Sequence, residues 1–491
     1  MPMCRSLPSL LLAGASSNAG KTVTMAAMLC ALQARGIAVR PAKTGPDYID
    51  AAWHTAFCGA ASANLDTWMA ADGPPDGSPP SPAVLRARLG RVRERLAEEY
   101  GGGESLLLVE GAMGLFDGSA GLDGGGSSAQ LAALCGIPVL LLLNVRGMGQ
   151  SAAAVAEGFL RFRPAWLGRR KLNFAGFLCT HVGSARHAAL LRATFAPLEK
   201  RYGTPLLGCL PRAGAPGIAS RHLGLVQARE AAPSLDRVAL GRWLEAHMRL
   251  DDLLRRLGLP RQPHEPSPVC PSPEAARRVS RRRPVVAIAR DEAFSFLYAD
   301  FPPLLRRLGA EVVFFSPLRD RLPACDGLYL PGGYPELYGA ALEANSSLRE
   351  EMRRAALRDG LPVHGECGGY LYLMRRLHMP DGTATPLCGV LPLEAVLRER
   401  RAALGYRAAR VLPGWLPLTE EKPLWLRGHE FHYADLATPL PAESALWRSY
   451  AASGEELGPE GCRQGRVSGT WLHAYPQGAQ TFWRTWLRLL R

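Results

Sequence analysis

The sequence predicts an α/β protein in which a doubly wound parallel sheet built around a P-loop is followed by a second α/β domain. Three observations carry this. Continuous apolar runs alternate with helix-compatible stretches over roughly the first half of the chain, the pattern of parallel strands covered on both faces. The loop Ala15-Ser16-Ser17-Asn18-Ala19-Gly20-Lys21-Thr22 follows the first such run and opens a helix. Far downstream, Gly365-Glu366-Cys367-Gly368-Gly369 follows another apolar run, Leu361-Pro362-Val363.

At 491 residues the chain is too long for one core, and two or three domains are expected. The first domain is expected over 1–255. Its strand-like runs are Leu7–Ala13, Ile37–Arg40, Ser105–Val109, Ile137–Leu143, Leu172–Cys179 and Pro205–Leu210, with helix-compatible segments such as Thr22–Ala34 and Val84–Glu99 between them. Proline and arginine then dominate 256–283, which reads as an interdomain linker. A second α/β pattern over 284–491 starts at Pro284–Ala289. It continues through Val312–Phe315, Gly327–Leu330 and Leu361–His364 to a more β-rich stretch ending near Thr470-Trp471-Leu472. The aromatic, amphipathic Thr481–Leu490 reads as a last helix packed on the core rather than a membrane-surface segment.

Composition narrows the function classes. Apolar content of 47% and charged content of 21% are those of an ordinary globular protein. No apolar run reaches the ~20 residues that span a bilayer. Leu7–Ala13 lacks a basic flank of any length and leads straight into the loop, so it reads as a strand and not a signal peptide. Eleven cysteines without a C-x-x-C pair fit reduced thiols in the cytoplasm. The net charge of +14 is almost all arginine, scattered along the chain without an aromatic-interleaved basic stripe. That argues against nucleic acid and for attraction of an anionic small molecule.

Within this frame a few residues stand out. In the loop, small residues let backbone N–H groups face phosphate oxygens. Ser17, Asn18, Ala19 and Gly20 line it, Lys21 reaches the β/γ-phosphates and the Thr22 hydroxyl suits Mg²⁺. Ala15 stands where the motif asks for glycine, with Gly14 one place early. Glu110, after Leu106–Val109, and Asp117 lie where a magnesium ion needs hard oxygen ligands. Lys43-Thr44-Gly45-Pro46-Asp47-Tyr48-Ile49-Asp50 follows the second run, where Gly-Pro-Asp alone is common turn chemistry. Lysine is scarce in this chain, so Lys21 and Lys43 are conspicuous beside four carboxylates. Ligands of open α/β sheets bind at the carboxyl ends of strands, where all of these fall. A lone cysteine is usually a small buried hydrophobe. Cys367 differs because its flanking glycines form the cysteine version of a nucleophile elbow, where helix-start N–H groups stabilise thiolate and oxyanion.

Taken together, several of these segments resemble the cobyrinic acid a,c-diamide synthase family. They are Lys43–Asp50, Trp53-His54, Asn64-Leu65-Asp66, Glu110–Gly118, Arg221–Leu225, Ala289–Phe294, Leu330–Glu336, Gly405-Tyr406-Arg407, Gly428–Tyr433 and Ser468–His473. The matches are in order and cover nearly the whole chain. The resemblance implies a dethiobiotin-synthetase-like ATP domain joined to a triad-type class I glutamine amidotransferase domain. It implies ATP- and Mg²⁺-dependent amidation of the a and c acetate side chains of a corrinoid polycarboxylate, with L-glutamine as nitrogen donor.

On this reading His473 activates Cys367, and the N–H groups of Gly332-Gly333 and Gly368 form the oxyanion hole. Thr22, Glu110 and Asp47 serve Mg²⁺, while Lys43, Asp47, Tyr48, Asp50 and Asp117 serve the substrate and phosphoryl transfer. Freed ammonia passes internally between the domains. Two further departures from the family stand beside Ala15. Thr180-His181 replaces a common Asn-Arg, and His473 is followed by Ala474-Tyr475 rather than H-x-E, which leaves a Cys/His dyad. Hydrogenobyrinic acid and nickel-sirohydrochlorin are alternative substrates. The competing class is a regulatory protein with a retained P-loop and an inactive amidotransferase-like domain. A homo-oligomer is admitted but not specified.

Overall fold

The computed structural model describes residues 7–71, 73–75, 83–84, 86–87, 89–91, 105–118, 125–212, 236–259, 282–416 and 423–490. The chain divides into two compact units. One comprises Met1–Trp68 and Pro79–Arg277, the other Met69–Ser78 and Arg278–Arg491. The motif Arg221–Leu225, most of the expected linker and the distal part of Val84–Glu99 lie outside the described residues.

The first unit is built on seven strands: β1 Ser9–Gly14, β2 Ala38–Thr44, β3 Ala63–Leu65, β4 Ser105–Gly114, β5 Val139–Asn144, β6 Phe174–Val182 and β7 Leu206–Pro211. All pair in parallel, in the order β3-β2-β4-β1-β5-β6-β7. The run Leu10-Leu11-Leu12 is fully buried because helices cover both faces of the central strand. Helix α1 (Lys21–Ala34) starts directly from the loop after β1 and is buried along most of its length, which suits its run of alanine, methionine and leucine. Helix α2 (Tyr48–Cys58) follows β2 and is capped by the Asp47 side chain, which accepts from Asp50 N.

Two strands differ from the sequence reading. The three-residue β3, too short to show a period, places Asn64 beside β2. Strand β4 does not end before Glu110 but runs on to Gly114, because β1 and β2 flank it on both sides: Lys43 and Leu12 are the register partners of Glu110, and Gly14 that of Gly114.

The second unit opens with β8 Val285–Ala289, β9 Glu311–Phe315, β10 Gly327–Leu330 and β11 Val363–Glu366. The short strands β12 Arg376–His378, β13 Ala384–Pro386 and β14 Glu394–Leu397 come next, then β15 Ala403–Val411, β16 Trp425–His432 and β17 Ala434–Leu436. The chain closes with β18 Ala445–Ala451, β19 Glu456–Gln464, β20 Val467–Thr470 and β21 His473–Ala474. Ten of these form one mixed sheet, β21-β16-β15-β18-β19-β20-β11-β10-β8-β9, and β12, β13, β14 and β17 form a small second sheet. In the larger sheet parallel pairing covers β8 to β11 and β20, and the remaining pairs are antiparallel. Thus the strand entering Cys367 (β11) lies beside the strand leading towards His473 (β20). The segment Met69–Ser78 belongs to this unit, where Arg427 Nη2 donates to the carbonyls of Gly73 and Pro74 at 3.3 and 3.1 Å.

Candidate active sites

In the first unit the loop after β1 turns on two residues with positive φ, Asn18 at 60° and Gly20 at 86°. The missing motif glycine is explained by Gly14. A Cβ there would sit 2.7 Å from Ser16 O and 2.8 Å from Ala19 Cβ, so the close approach falls one residue before Ala15. Ala19 is fully buried, and its carbonyl accepts from Thr180 Oγ1 at 2.9 Å. Thr180 therefore braces the loop from β6. Gly20 caps α1, leaving the first-turn N–H groups for an anion. Lys21 Nζ donates to Met113 O at 2.7 Å. Burial lowers the Lys21 pKa, Lys43 nearby lowers it further, and Glu110, Asp50 and Asp117 oppose both.

Glu110 is the hub of a buried network. Its Oε1 accepts from Thr22 Oγ1 at 2.9 Å and from Lys43 Nζ at 3.1 Å, while Oε2 meets His54 Nε2 at 2.6 Å. His54 in turn faces Ser62 Oγ at 3.1 Å, and Lys43 also bonds Asp50 Oδ2 at 2.5 Å. Glu110, Lys43 and His54 are all buried. Burial alone would raise the Glu110 pKa, but Lys43 and His54 overcome this and hold it down at about 2. Burial likewise works against the Lys43 charge, yet Glu110, Asp50 and Asp47 drive its pKa well above the ordinary lysine value. Asp50 is pushed up to about 7, first by burial and then by Glu110, with Lys43 opposing. A cation between two carboxylates can thus keep one charged while the other shares a proton.

Of the residues expected from sequence, Thr22, Lys43, Asp50 and Glu110 converge in this network. Asp47 serves as the cap of α2, Tyr48 opens that helix, and Asp117 Oδ2 accepts from Gly114 N at 2.9 Å, closing the turn after β4. His54 was legible only as part of a family motif. Its hydrogen bond to Glu110 depends on α2 packing against β2, the strand next to β4.

Thr22 Oγ1 and the Glu110 carboxylate form an all-oxygen pair at the loop, the donor type magnesium requires. Among the described residues no group of three or more His, Cys, Asp or Glu side chains could cage a metal.

In the second unit Cys367 stands between β11 and the helix Gly368–Leu373 with φ 49° and ψ −105°, a strained conformation for a residue with a Cβ. Its own N–H donates to Thr470 O at 2.7 Å, which ties the elbow to β20. The glycines around it are sterically required. A Cβ at Gly369 would lie 2.0 Å from Leu330 O, and one at Gly365 2.8 Å from the Gly369 backbone. The Gly332-Gly333 turn lies against His473 and against Gly368, the residue after Cys367. A Cβ at Gly332 would lie 2.2 Å from His473 Cε1, and one at Gly368 2.9 Å from Gly333 N. His473 itself is fixed by pairing of β21 with β16, opposite His429. Glu366 Oε1 accepts from Ala474 N at 3.4 Å, and Oε2 from Tyr329 Oη at 2.9 Å. A narrow cleft at Cys367 is lined by Gly333, Tyr334, Glu336, Phe431 and Trp471 among others.

The helix-start N–H of Gly368 favours the thiolate of Cys367, as the elbow leads one to expect, but it is outweighed. Burial pushes the thiol well above its ordinary pKa, Glu336 adds to that, and the Gly368 N–H opposes it. His473 is pushed down to about 3, by burial first and then by His429 and His432. The resting pair is therefore neutral thiol and neutral imidazole. The imidazole is free of a competing proton at neutral pH, but proton transfer from sulfur has to be driven by what enters the cleft.

A phosphate-binding α/β unit followed by a cysteine-elbow unit defines the class: a nucleotide-binding domain fused to a glutamine amidotransferase domain. Residues 10–222 match the CobQ/CobB/MinD/ParA nucleotide binding domain, and residues 285–480 match the CobB/CobQ-like glutamine amidotransferase domain. The chain is 40% identical over 471 residues to hydrogenobyrinate a,c-diamide synthase of Brucella suis, covering 94% of this chain and 97% of the relative. It is 38% identical to the protein of that name from Rhodobacter capsulatus and 37% identical to that from Mesorhizobium japonicum, covering 98% of each relative and 94% and 95% of this chain. The chain belongs to this a,c-diamide synthase family. Among the described residues no helix is long and apolar enough to cross a membrane.

Proposed function

We propose that the protein is an ATP- and glutamine-dependent ligase that amidates the a and c acetate carboxylates of a corrin-type polycarboxylate in cobalamin biosynthesis, in the cytoplasm. The observation that supports this reading is the coexistence on one chain of two candidate donor sets. One is the Lys21/Thr22 loop closed by the Glu110 network, and the other is Cys367 on its elbow with His473 against the Gly332-Gly333 turn. A regulatory protein has no use for both.

In the first unit a substrate carboxylate attacks the γ-phosphate of ATP, giving an acyl phosphate and ADP. Ammonia then displaces phosphate to leave the amide. The reaction is helped mainly by positioning and charge neutralisation, supplied by Lys21 and the loop N–H groups. Lys43, held charged by Glu110 and Asp50, offers a second cation for the carboxylate or the transferring phosphoryl group. Magnesium, held by Thr22 and Glu110 with phosphate oxygens, would supply further neutralisation of phosphate charge. Asp47, Tyr48 and Asp117 complete the substrate side of the site.

In the second unit Cys367 sulfur attacks the glutamine carboxamide carbon as its proton passes to His473. The oxyanion is received by N–H groups of the Gly332-Gly333 turn and Gly368. His473 returns the proton to the leaving ammonia, and water hydrolyses the thioester to glutamate.

Hydrogenobyrinic acid is the favoured substrate, since the full-length relatives carry that name. Cobyrinic acid is the second reading, favoured by the motif resemblance. Incubation of the protein with ATP, Mg²⁺, glutamine and each tetrapyrrole, followed by mass spectrometry, tests both. Two successive amidations of the metal-free corrin, faster than of its cobalt counterpart, are expected. No amidation of either sinks the proposal.

A further inference from the structure

Glu336 occupies a place in the second unit that the reaction above leaves unused. It lies on the short 3-10 turn Pro335–Tyr338, directly after the Gly332-Gly333 turn, and lines the cleft with Cys367. Among the described residues no lysine or arginine lines that cleft, and the imidazole that does, His432, is biased towards its neutral form by burial. Among the described residues no side chain donates to or pairs with Glu336, and only its own backbone N–H supports the carboxylate. Glu336 is only partly buried by solvent exposure, yet drawing a carboxyl group out of water without a cation is costly, and here the cost falls beside a nucleophile that its charge opposes. Elsewhere in the unit buried carboxylates do have partners: Glu430 bonds Arg407 Nε at 2.9 Å, and Glu366 bonds Tyr329 and Ala474 N. Glu336 differs from them in facing the space a ligand enters.

We infer that Glu336 is the receptor for the α-ammonium group of the amide donor, so that the cleft selects an amino acid carboxamide over a simple carboxamide. The cation missing from the protein arrives with the substrate. A carboxylate lacking a partner is pushed up to about 7 by burial, and a bound ammonium would restore its charge while cancelling its field at sulfur. Occupancy of the ammonium subsite thereby favours ionisation of Cys367, which the resting site disfavours. This coupling also limits thiolate chemistry when no amino acid is bound.

The inference rests on Cys367 being a glutaminase nucleophile, and its test separates the two. The full-length chain is assayed for ammonia release from L-glutamine and from glutaramate, its analogue lacking the α-amino group, with ATP, Mg²⁺ and tetrapyrrole present. Wild type is expected to favour glutamine in kcat/KM by about 100-fold, as charge-assisted hydrogen bonds allow, and Glu336→Gln to reduce that preference at least 10-fold. Glu336→Asp should keep an intermediate preference. Calorimetric binding of both ligands to Cys367→Ser, with and without Glu336→Gln, gives the same ratio without turnover and guards against a variant with damaged catalysis. An unchanged glutamine-to-glutaramate ratio in Glu336→Gln, or a wild type that does not discriminate, overturns the inference. A wild type that releases no ammonia from glutamine under any condition overturns the glutaminase reading instead.

Discussion

Replacing Gly332 by alanine adds one methyl group at the point where the turn meets His473. Built on the backbone, that methyl carbon lies 2.2 Å from His473 Cε1, 3.1 Å from Nε2 and 3.2 Å from Nδ1. Carbon atoms in contact are ordinarily about 3.5–4.0 Å apart, so the ring or the turn has to move by more than 1 Å. The ring has little room to yield. His473 is buried, and its carbonyl is so close to β16 that a Cβ at Gly428 would lie 2.0 Å from it. The turn is equally confined, since a Cβ at Gly333 would lie 1.9 Å from Ala293 O. Overpacking of this kind costs roughly 1–3 kcal/mol of stability, and a displacement of about 1 Å in a catalytic group costs on the order of 100-fold in rate. Gly332→Ala should therefore lose about 100-fold in glutamine-dependent amidation while the same preparation still amidates with added ammonia. Steady-state rates with both nitrogen sources and a thermal melt check this together. A variant whose glutaminase rate stays within twofold of wild type, with an unchanged melt, would refute the placement of His473 against the turn as a catalytic contact.

Cys367→Ser should abolish glutamine-dependent amidation and preserve the ammonia-dependent reaction, and glutamine-driven product at near wild-type rate would remove Cys367 from its role. Glu110→Gln should stop synthesis with either nitrogen source, because the amide cannot balance buried Lys43 or bind magnesium. Removing one partner of such a buried pair costs about 3 kcal/mol, which urea unfolding reads, and normal ammonia-dependent synthesis would make Glu110 merely structural. His473 gives a pH signature. Its folded pKa of about 3 lies below the ordinary histidine value, so between about 6.5 and 3 the unfolded chain binds a proton that the folded chain refuses. Stability therefore falls as the pH is lowered through that window, by up to about 1.4 kcal/mol per unit from this residue. Unfolding titrations of His473→Gln should show a correspondingly shallower pH dependence, and an identical slope would contradict the buried neutral imidazole.

Much of the chemistry was legible in the sequence because it is local. The phosphate loop, the glycines around Cys367 and the Lys43–Asp50 segment are runs of a few residues whose backbone demands can be read directly. So could the strands β1, β5, β6 and β7, since strands covered on both faces are largely apolar, whereas β2 carries Arg40, Pro41, Lys43 and Thr44 after its apolar start. Contacts between residues distant along the chain could not be read. Glu110 sits inside β4 and not at its end because β1 and β2 flank it, and its charge survives there through Lys43, Thr22 and His54, which come from three other elements. Strand β3 was too short to leave a periodic signal, and Met69–Ser78, whose Gly/Pro-rich composition marks only a loop, joined the second unit through contacts the sequence does not show. The sequence by itself singled out the candidate groups, since elbow and loop need particular residue types at fixed spacing. Only the tertiary structure decided their ionisation. Burial made the resting Cys367 and His473 neutral and left Glu336 without a cation, and burial depends on the packing of the whole unit around each group.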